Sequence, residues 1–489
     1  MLRTTRILLA TLFFAGITLL FLDFTGVLHH WLGWLAKVQA LEAVLALNVV
    51  VIVALVALTL VFGRIYCSVI CPLGVMQDIF GWFGKKAKKN RYSFSKEKKW
   101  LRYSMLGIFL VALVAHIGLL AQLLAPYSAF GRIMTMIFQP LWKMGNNLLA
   151  SVAESMDSYA FYTVDVWMKS LPVLIVAGVT LILLFVLAWR NGRTYCNTVC
   201  PVGTALSFLA RFSFLKVNFD KEKCRNCSLC SKNCKAACID YKNHTVDYSR
   251  CVACGDCLKS CKFGALKYDH QLLHEKREKD VDSSKRSFLL ASALATTAAM
   301  AEEAKKVDGG FADLADKVAP ERQTPLTPPG SLSQRNFTVH CTGCQLCVSE
   351  CPNGVLRPSS DLMHFMTPTM SYEHGFCRPE CTRCSDVCPA GAIRPLDDIE
   401  KSSIQIGHAV WIKKNCIPVS DGVECGNCAR HCPTGAIEMV ALNEEDDESP
   451  WVPAVNENAC IGCGACEYVC PARPFSAIYV EGHEVHKKI

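Results

Sequence analysis

Cys224-Arg225-Asn226-Cys227-Ser228-Leu229-Cys230-Ser231-Lys232-Asn233-Cys234 is a run of C-x2-C-x2-C-x3-C spacing, and Cys251, Cys254, Cys257 and Cys261 repeat it a short way on. Thiolates crowded this closely suit an iron–sulfur cluster, whereas a zinc site needs two C-x2-C pairs held apart by a longer loop. A disulfide scaffold is excluded too. Such scaffolds are short secreted chains, and this one has 489 residues with 29 cysteines.

Four further runs lie toward the C-terminus: Cys341, Cys344, Cys347 and Cys351; Cys377, Cys381, Cys384 and Cys388; Cys416, Cys425, Cys428 and Cys432; Cys460, Cys463, Cys466 and Cys470. All four end in Cys-Pro. Six complete runs lead us to expect six 4Fe-4S clusters. In bacterial-type ferredoxins three cysteines of a run bind one cluster and the fourth reaches across to its partner. That resemblance implies one cluster on Cys224, Cys227, Cys230 and Cys261 and another on Cys251, Cys254, Cys257 and Cys234. Cys238 competes with Cys234, because Lys235 and Lys262 replace the proline that usually follows the fourth cysteine. The stretched middle runs resemble the four-cluster electron-transfer subunits of membrane-associated reductases, which implies that the two outer runs pair and the two inner runs pair.

Toward the N-terminus the composition changes. The chain is 51% hydrophobic, and the stretches 7–28, 44–63, 104–125 and 171–189 are each apolar enough to span a hydrocarbon core, which takes about 20 residues. Arg3, Arg6 and a basic 64–102 loop place both ends of this unit in the cytoplasm by the positive-inside rule. Its halves repeat: Gly63-Arg64-Ile65-Tyr66-Cys67-x3-Cys71-Pro72 matches Gly192-Arg193-Thr194-Tyr195-Cys196-x3-Cys200-Pro201. Cys67, Cys71, Cys196 and Cys200 are candidate ligands of a further metal or cluster, with thiol–disulfide chemistry or plain packing as the alternatives.

Net charge is +8, but residues 302–489 alone carry −10. Because the basic residues bunch beside apolar stretches, they fit membrane topology rather than a nucleic-acid surface. Residues 284–301, with Lys285-Arg286 ahead of a small-residue apolar run, resemble a twin-arginine export signal; a fifth anchor or a linker is the alternative. No C-x-x-C-H motif, P-loop or dinucleotide fingerprint occurs. His116, His29 and His30 read as structural rather than haem-binding.

These features resemble a fusion of the membrane ferredoxin (NapH type) and the exported ferredoxin (NapG type) of quinol dehydrogenases that serve periplasmic reductases. The expected fold is an α-helical membrane domain of four spans in two repeated helix pairs (1–215), plus two small α+β bacterial-ferredoxin-like domains (216–270 and 336–489) joined by a 271–335 linker. The resemblance implies a multi-pass protein of the bacterial cytoplasmic membrane, with 216–270 cytoplasmic and 336–489 periplasmic. It would pass electrons from quinol through clusters to a periplasmic reductase or cytochrome. Phe130, Phe138, Trp142, Tyr159, Phe161, Tyr162 and Trp167 are candidate lining for the quinol. The competing function is a redox-active maturation factor for a metalloenzyme.

Overall fold

The computed structural model describes residues 2–89, 92–270, 317–443, 445 and 449–489. The signal-like 284–301 segment lies outside the described residues. Two helices, Arg3–Leu22 and Leu171–Asn191, are long and apolar enough to cross a membrane; at 1.5 Å per residue each measures about 30 Å. The other two expected spans are broken. Within and just before 44–63 the chain forms Ala40–Leu45, a left-handed turn at Leu47, and Val49–Phe62. Asn48 starts the second of these helices by accepting a hydrogen bond from the Val51 N–H at 3.3 Å. Around 104–125, Lys99–Val114 stops at left-handed His116 (φ 55°), and Gly118–Leu124 follows. The expected loop from 126 to 170 is largely helical: Pro126–Ile133, a π turn at Met134–Phe138, and Gln139–Glu154.

Each repeat then folds its Cys-Pro in the same way. Gly63 (φ 74°) and Gly192 (φ 70°) end one helix, a short turn carries the first cysteine, and Cys71 and Cys200 become N-caps of Pro72–Lys86 and Pro201–Ala210. Proline at the first helical position has no N–H to leave unsatisfied, so Cys-Pro starts a helix with the thiol at its mouth.

The ferredoxin blocks are α+β, as expected. Leu215–Phe219 pairs antiparallel with Leu266–His270, and the C-terminal domain is framed by the long pair Ile404–Trp411 with Ile478–Lys488. Residues 317–335, expected as linker, are instead a strap on that domain: Val318 N–H donates to Asn415 Oδ1 (2.8 Å), Arg322 Nε donates to Val480 O (2.9 Å), and Leu326 is buried. The prolines hold the strap extended for those contacts.

The Arg3–Leu22 helix measures the separation of the blocks. At its start Arg3 Nε lies 2.7 Å from Asp256 Oδ1, in the Cys251 run. At its end Gln139 Nε2 donates to both Phe21 O (3.2 Å) and Ser349 O (3.0 Å), the latter in the Cys341 run. Arg3 to Phe21 is about 27 Å of helix. The two cysteine-rich domains therefore sit at opposite ends of the helical unit.

Candidate electron-transfer sites

In the four runs with unstretched spacing, the residues on either side of the second cysteine are left-handed. They are Asn226 and Ser228, Ala253 and Gly255, Gly343 and Gln345, and Gly462 and Gly464, with φ between 49° and 79°. Non-glycine residues there cost about 1–2 kcal/mol each. Such turns aim successive backbone N–H groups into a concavity that favours a bound anion, so the strain is repaid if a negatively charged cluster sits inside. The stretched runs, Cys377 to Cys388 and Cys416 to Cys432, lack this pair of turns among the described residues.

In the first block the structure gathers the cysteines around two cavities. Cys224, Cys227, Cys230 and Cys261 line one cavity. Cys251, Cys254 and Cys257 line a second with both Cys234 and Cys238, whose sulfurs are 3.5 Å apart. Among the described residues no three Cys, His, Asp or Glu side chains close in tightly enough for a single metal ion. A cubane, whose ligand sulfurs stand further apart, suits these wider sets better.

In the C-terminal domain the expected pairing of outer with outer and inner with inner runs is wrong. Neighbouring runs pair. Burial first, and then the nearby charge of Cys388, pushes up the thiols of Cys341 and Cys344, and burial followed by Cys344, Cys341 and Cys388 does so for Cys347. Burial followed by Cys377 and Cys351 does the same to Cys384. Cys428 is pushed up to about 11 by burial, with Cys425, Cys416 and Cys470 beside it, and Cys463 to about 12 by burial, with Cys460, Cys377 and Cys432 beside it. The short helices Leu346–Glu350 and Arg383–Val387 pack together, as do Asn427–Arg430 and Ala465–Val469, so each pair of neighbours forms one compact unit. The Cys377 N–H donates to Cys463 O at 2.9 Å and joins the two units.

Cys67, Cys71, Cys196 and Cys200 are buried and meet between the repeats. Burial, then the charges that Cys196, Cys67 and Cys200 would carry, pushes the Cys71 thiol up. The repeats brace each other reciprocally: Arg64 Nη2 donates to Cys196 O (3.2 Å) and Arg193 Nη1 to Cys67 O (2.5 Å). Gln77 Nε2 lies 3.2 Å from Cys196 Sγ, and the Gly203 N–H lies 3.4 Å from Cys200 Sγ. A Cβ on Gly74 would stand 2.2 Å from Cys67 O. Gly74→Ala is therefore expected to cost about 1–3 kcal/mol, read as a lower midpoint of thermal unfolding in detergent. Arg64, Arg193 and Gln77 were not among the residues singled out from sequence, although Gly-Arg-x-Tyr in both repeats was visible.

Asp78 fastens this centre to the first block. Its carboxylate meets Arg193 Nε (2.7 Å), Lys235 Nζ (2.6 Å) and Arg6 Nη1 (3.1 Å). Burial would raise its pKa, but the three cations outweigh that and hold the carboxyl below the usual range. Beside it opens a cavity of about 640 Å³, apolar at Ile7, Ala10, Val75 and Trp82 and polar at Arg6, Gln77, Asp78 and Lys235. The aromatic residues expected to line a slot do not form one: Phe130 is core, Trp167 stacks on His374 at 4.1 Å, and Tyr159 is exposed.

Comparison with known proteins finds iron–sulfur domains in both the helical unit and the cysteine-rich domains. A 4Fe-4S binding domain matches residues 44–91 and again 172–221, one C-x3-C-P pair in each. A 4Fe-4S dicluster domain matches 340–402, the first of the two units, and 423–473, the second without Cys416, and another of that description matches 247–355, which takes in the Cys251 and Cys341 runs. Methylamine utilization ferredoxin-type protein MauM of Paracoccus denitrificans is 33% identical over 182 residues, 35% of this chain and 81% of its own length. Ferredoxin-type protein NapG of Escherichia coli K12 is 29% identical over 175 residues, 33% of this chain and 75% of its own length. Methylamine utilization ferredoxin-type protein MauN of Methylobacillus flagellatus is 29% identical over 193 residues, 38% of this chain and 55% of its own length. No solved structure matches the chain.

Proposed function

The chain belongs to the ferredoxin-type protein family of MauM and NapG and is an iron–sulfur electron-transfer protein; on that premise we propose that it is a membrane-bound quinol dehydrogenase feeding a periplasmic acceptor. The observation that carries this reading is the 640 Å³ cavity. Its apolar side is Ile7, Ala10, Val75 and Trp82, and its polar side touches Cys196 through Gln77 and the Cys251 block through Lys235 and Asp256. A quinol has the same division, an apolar tail and a polar ring.

The chain is read as four spans, two of them broken, with the 216–270 block cytoplasmic and the four-run domain periplasmic. The 24 cysteines of the six runs are read as ligands of six clusters, in the neighbouring pairs found above. A 4Fe-4S cluster takes one electron at a time, while a quinol releases two electrons and two protons. The chain's own task is to hold the ring against Gln77 and Lys235, to shield it from water with Ile7, Ala10 and Trp82, and to offer the two protons a polar exit past Asp256.

The test is reduction of the purified chain by a short-chain quinol with a dye as acceptor. Dye reduction is expected, and Ala10→Phe, which fills the cavity, is expected to raise the quinol KM about tenfold or more, on the scale of one lost apolar contact, with iron content unchanged. A chain that dithionite reduces but quinol does not, and that transfers metal to a client in a thiol-dependent way, would be a maturation factor instead.

A further inference from the structure

We infer that Cys67, Cys71, Cys196 and Cys200 together hold one iron–sulfur cluster, shared by the two repeats, that relays electrons between the ferredoxin block at one end of the helical unit and the four-run domain at the other. This rests on the reading of the six runs as cluster ligands. Without a relay the two domains are separated by about 27 Å of helix, and electron tunnelling weakens exponentially with distance.

The chemistry of the donor set fits. Each repeat supplies two buried thiols, and a cubane takes four ligands, so neither repeat is complete alone. A cluster on four thiolates carries net negative charge, and the site holds two buried guanidiniums, Arg64 and Arg193, each fully buried. Among the described residues Arg64 Nε and Arg193 Nη2 have no hydrogen-bond partner. Buried donors left unpaired cost about 1–3 kcal/mol each, and an anionic group between the loops would satisfy them. Gln77 Nε2 and the Gly203 N–H already point at two of the sulfurs, the kind of hydrogen bonding that tunes such centres.

The position fits as well. On one side the Arg64 guanidinium spans the gap: Nη1 donates to Ser249 O (2.9 Å), two residues before Cys251, while Nη2 lies 3.9 Å from Cys67 Sγ. On the other side Tyr66, next to Cys67 in the chain, donates to Gln39 Oε1 (3.1 Å) and accepts from the Ala40 N–H (3.0 Å). Tyr195, next to Cys196 in the chain, donates to Leu124 O (3.4 Å), and four residues further on Ser128 Oγ donates to Thr342 O between Cys341 and Cys344. A path of bonds and hydrogen bonds therefore runs from the Cys251 loop by way of Arg64 and the loop that carries Cys196 to the Cys341 loop. In each transfer one electron leaves a reduced centre on the block side, which is oxidised, and reaches an oxidised centre in the four-run domain, which is reduced. No proton moves and no bond is made or broken.

Iron and sulfide analysis of the full chain, with Cys71→Ser, Cys200→Ser and the double variant, tests this. Seven clusters give about 28 iron atoms per chain, and about 24 remain if only the six runs are filled. The expected result is about 28 for the wild type and the same loss of about four in each single variant and in the double. Electron paramagnetic resonance of the remaining centres should be unchanged. A wild type at about 24, or a double variant that loses about eight, one centre per repeat, overturns the shared relay. A wild type well below 24 overturns the six-run reading instead, so the two failures are distinct. If the variants do not fold, the wild-type count decides alone.

Discussion

Asp78→Asn is expected to release the 216–270 block from the helical unit, at a cost of about 3–5 kcal/mol, the range for breaking a buried ion pair by removing one partner. The carboxylate is the common acceptor for Arg193, Lys235 and Arg6, whose side chains are 0%, 11% and 8% exposed. Asparagine keeps the shape and one acceptor oxygen but leaves the cations largely uncompensated. Only Lys235 has a second partner among the described ion pairs, Asp256 at 3.3 Å. Arg193 also sets the Cys67 carbonyl, so the loss should reach the four-thiol centre. Limited proteolysis checks it. The variant should be cut between the helical unit and the block at protease levels that leave the wild type whole, while the C-terminal domain stays resistant. Equal resistance of variant and wild type would mean that the other contacts, Arg64 and Arg102 with Ser249 O among them, hold the block alone.

Cys388→Ser is expected to remove the centre of the Cys341 run and leave those of the Cys416 and Cys460 runs intact. Serine keeps the size but not the soft thiolate ligation. Because the Cys341 loop is seated on the helical unit, through Gln139, Ser128 and Lys169, this one change should also slow the entry of electrons arriving there. The readout is loss of one resonance signal together with slowed reduction of those that remain. Under the pairing of inner with inner runs that the resemblance to four-cluster subunits implies, Cys388→Ser would instead damage the Cys416 centre. Loss of that signal with the Cys341 centre intact would show that the inner runs pair with each other.

That pairing shows where reading the chain ran out. Spacing identifies a run because ligands of one cluster must be close along the chain, and all six runs were visible. Nothing in C-x2-C-x2-C-x3-C says which other run supplies the distant fourth thiol. That depends on which short helices pack, here Leu346–Glu350 with Arg383–Val387. The repeat of Gly-Arg-x-Tyr-Cys-x3-Cys-Pro was legible, and its convergence on one centre was a reasonable expectation. The roles of Arg64 and Arg193 were hidden because each acts on the other repeat. Hydropathy found the helical unit but not the breaks at Leu47–Asn48 and His116, since a window average passes over single residues that end a helix. The aromatic residues of 126–167 suggested a slot for a ring, yet tertiary packing sends Phe130 to the core and Trp167 to the face of His374.

If the four-thiol centre is a relay, electrons cross from one end of the helical unit to the other. Proteoliposomes in which the chain is inserted with its 216–270 block outward, loaded with ferricyanide, test it directly when an impermeant one-electron reductant is added outside. The account predicts that trapped ferricyanide is reduced by the wild-type chain and not by Cys71→Ser. Ferricyanide that stays oxidised while the outward block is fully reduced would contradict it.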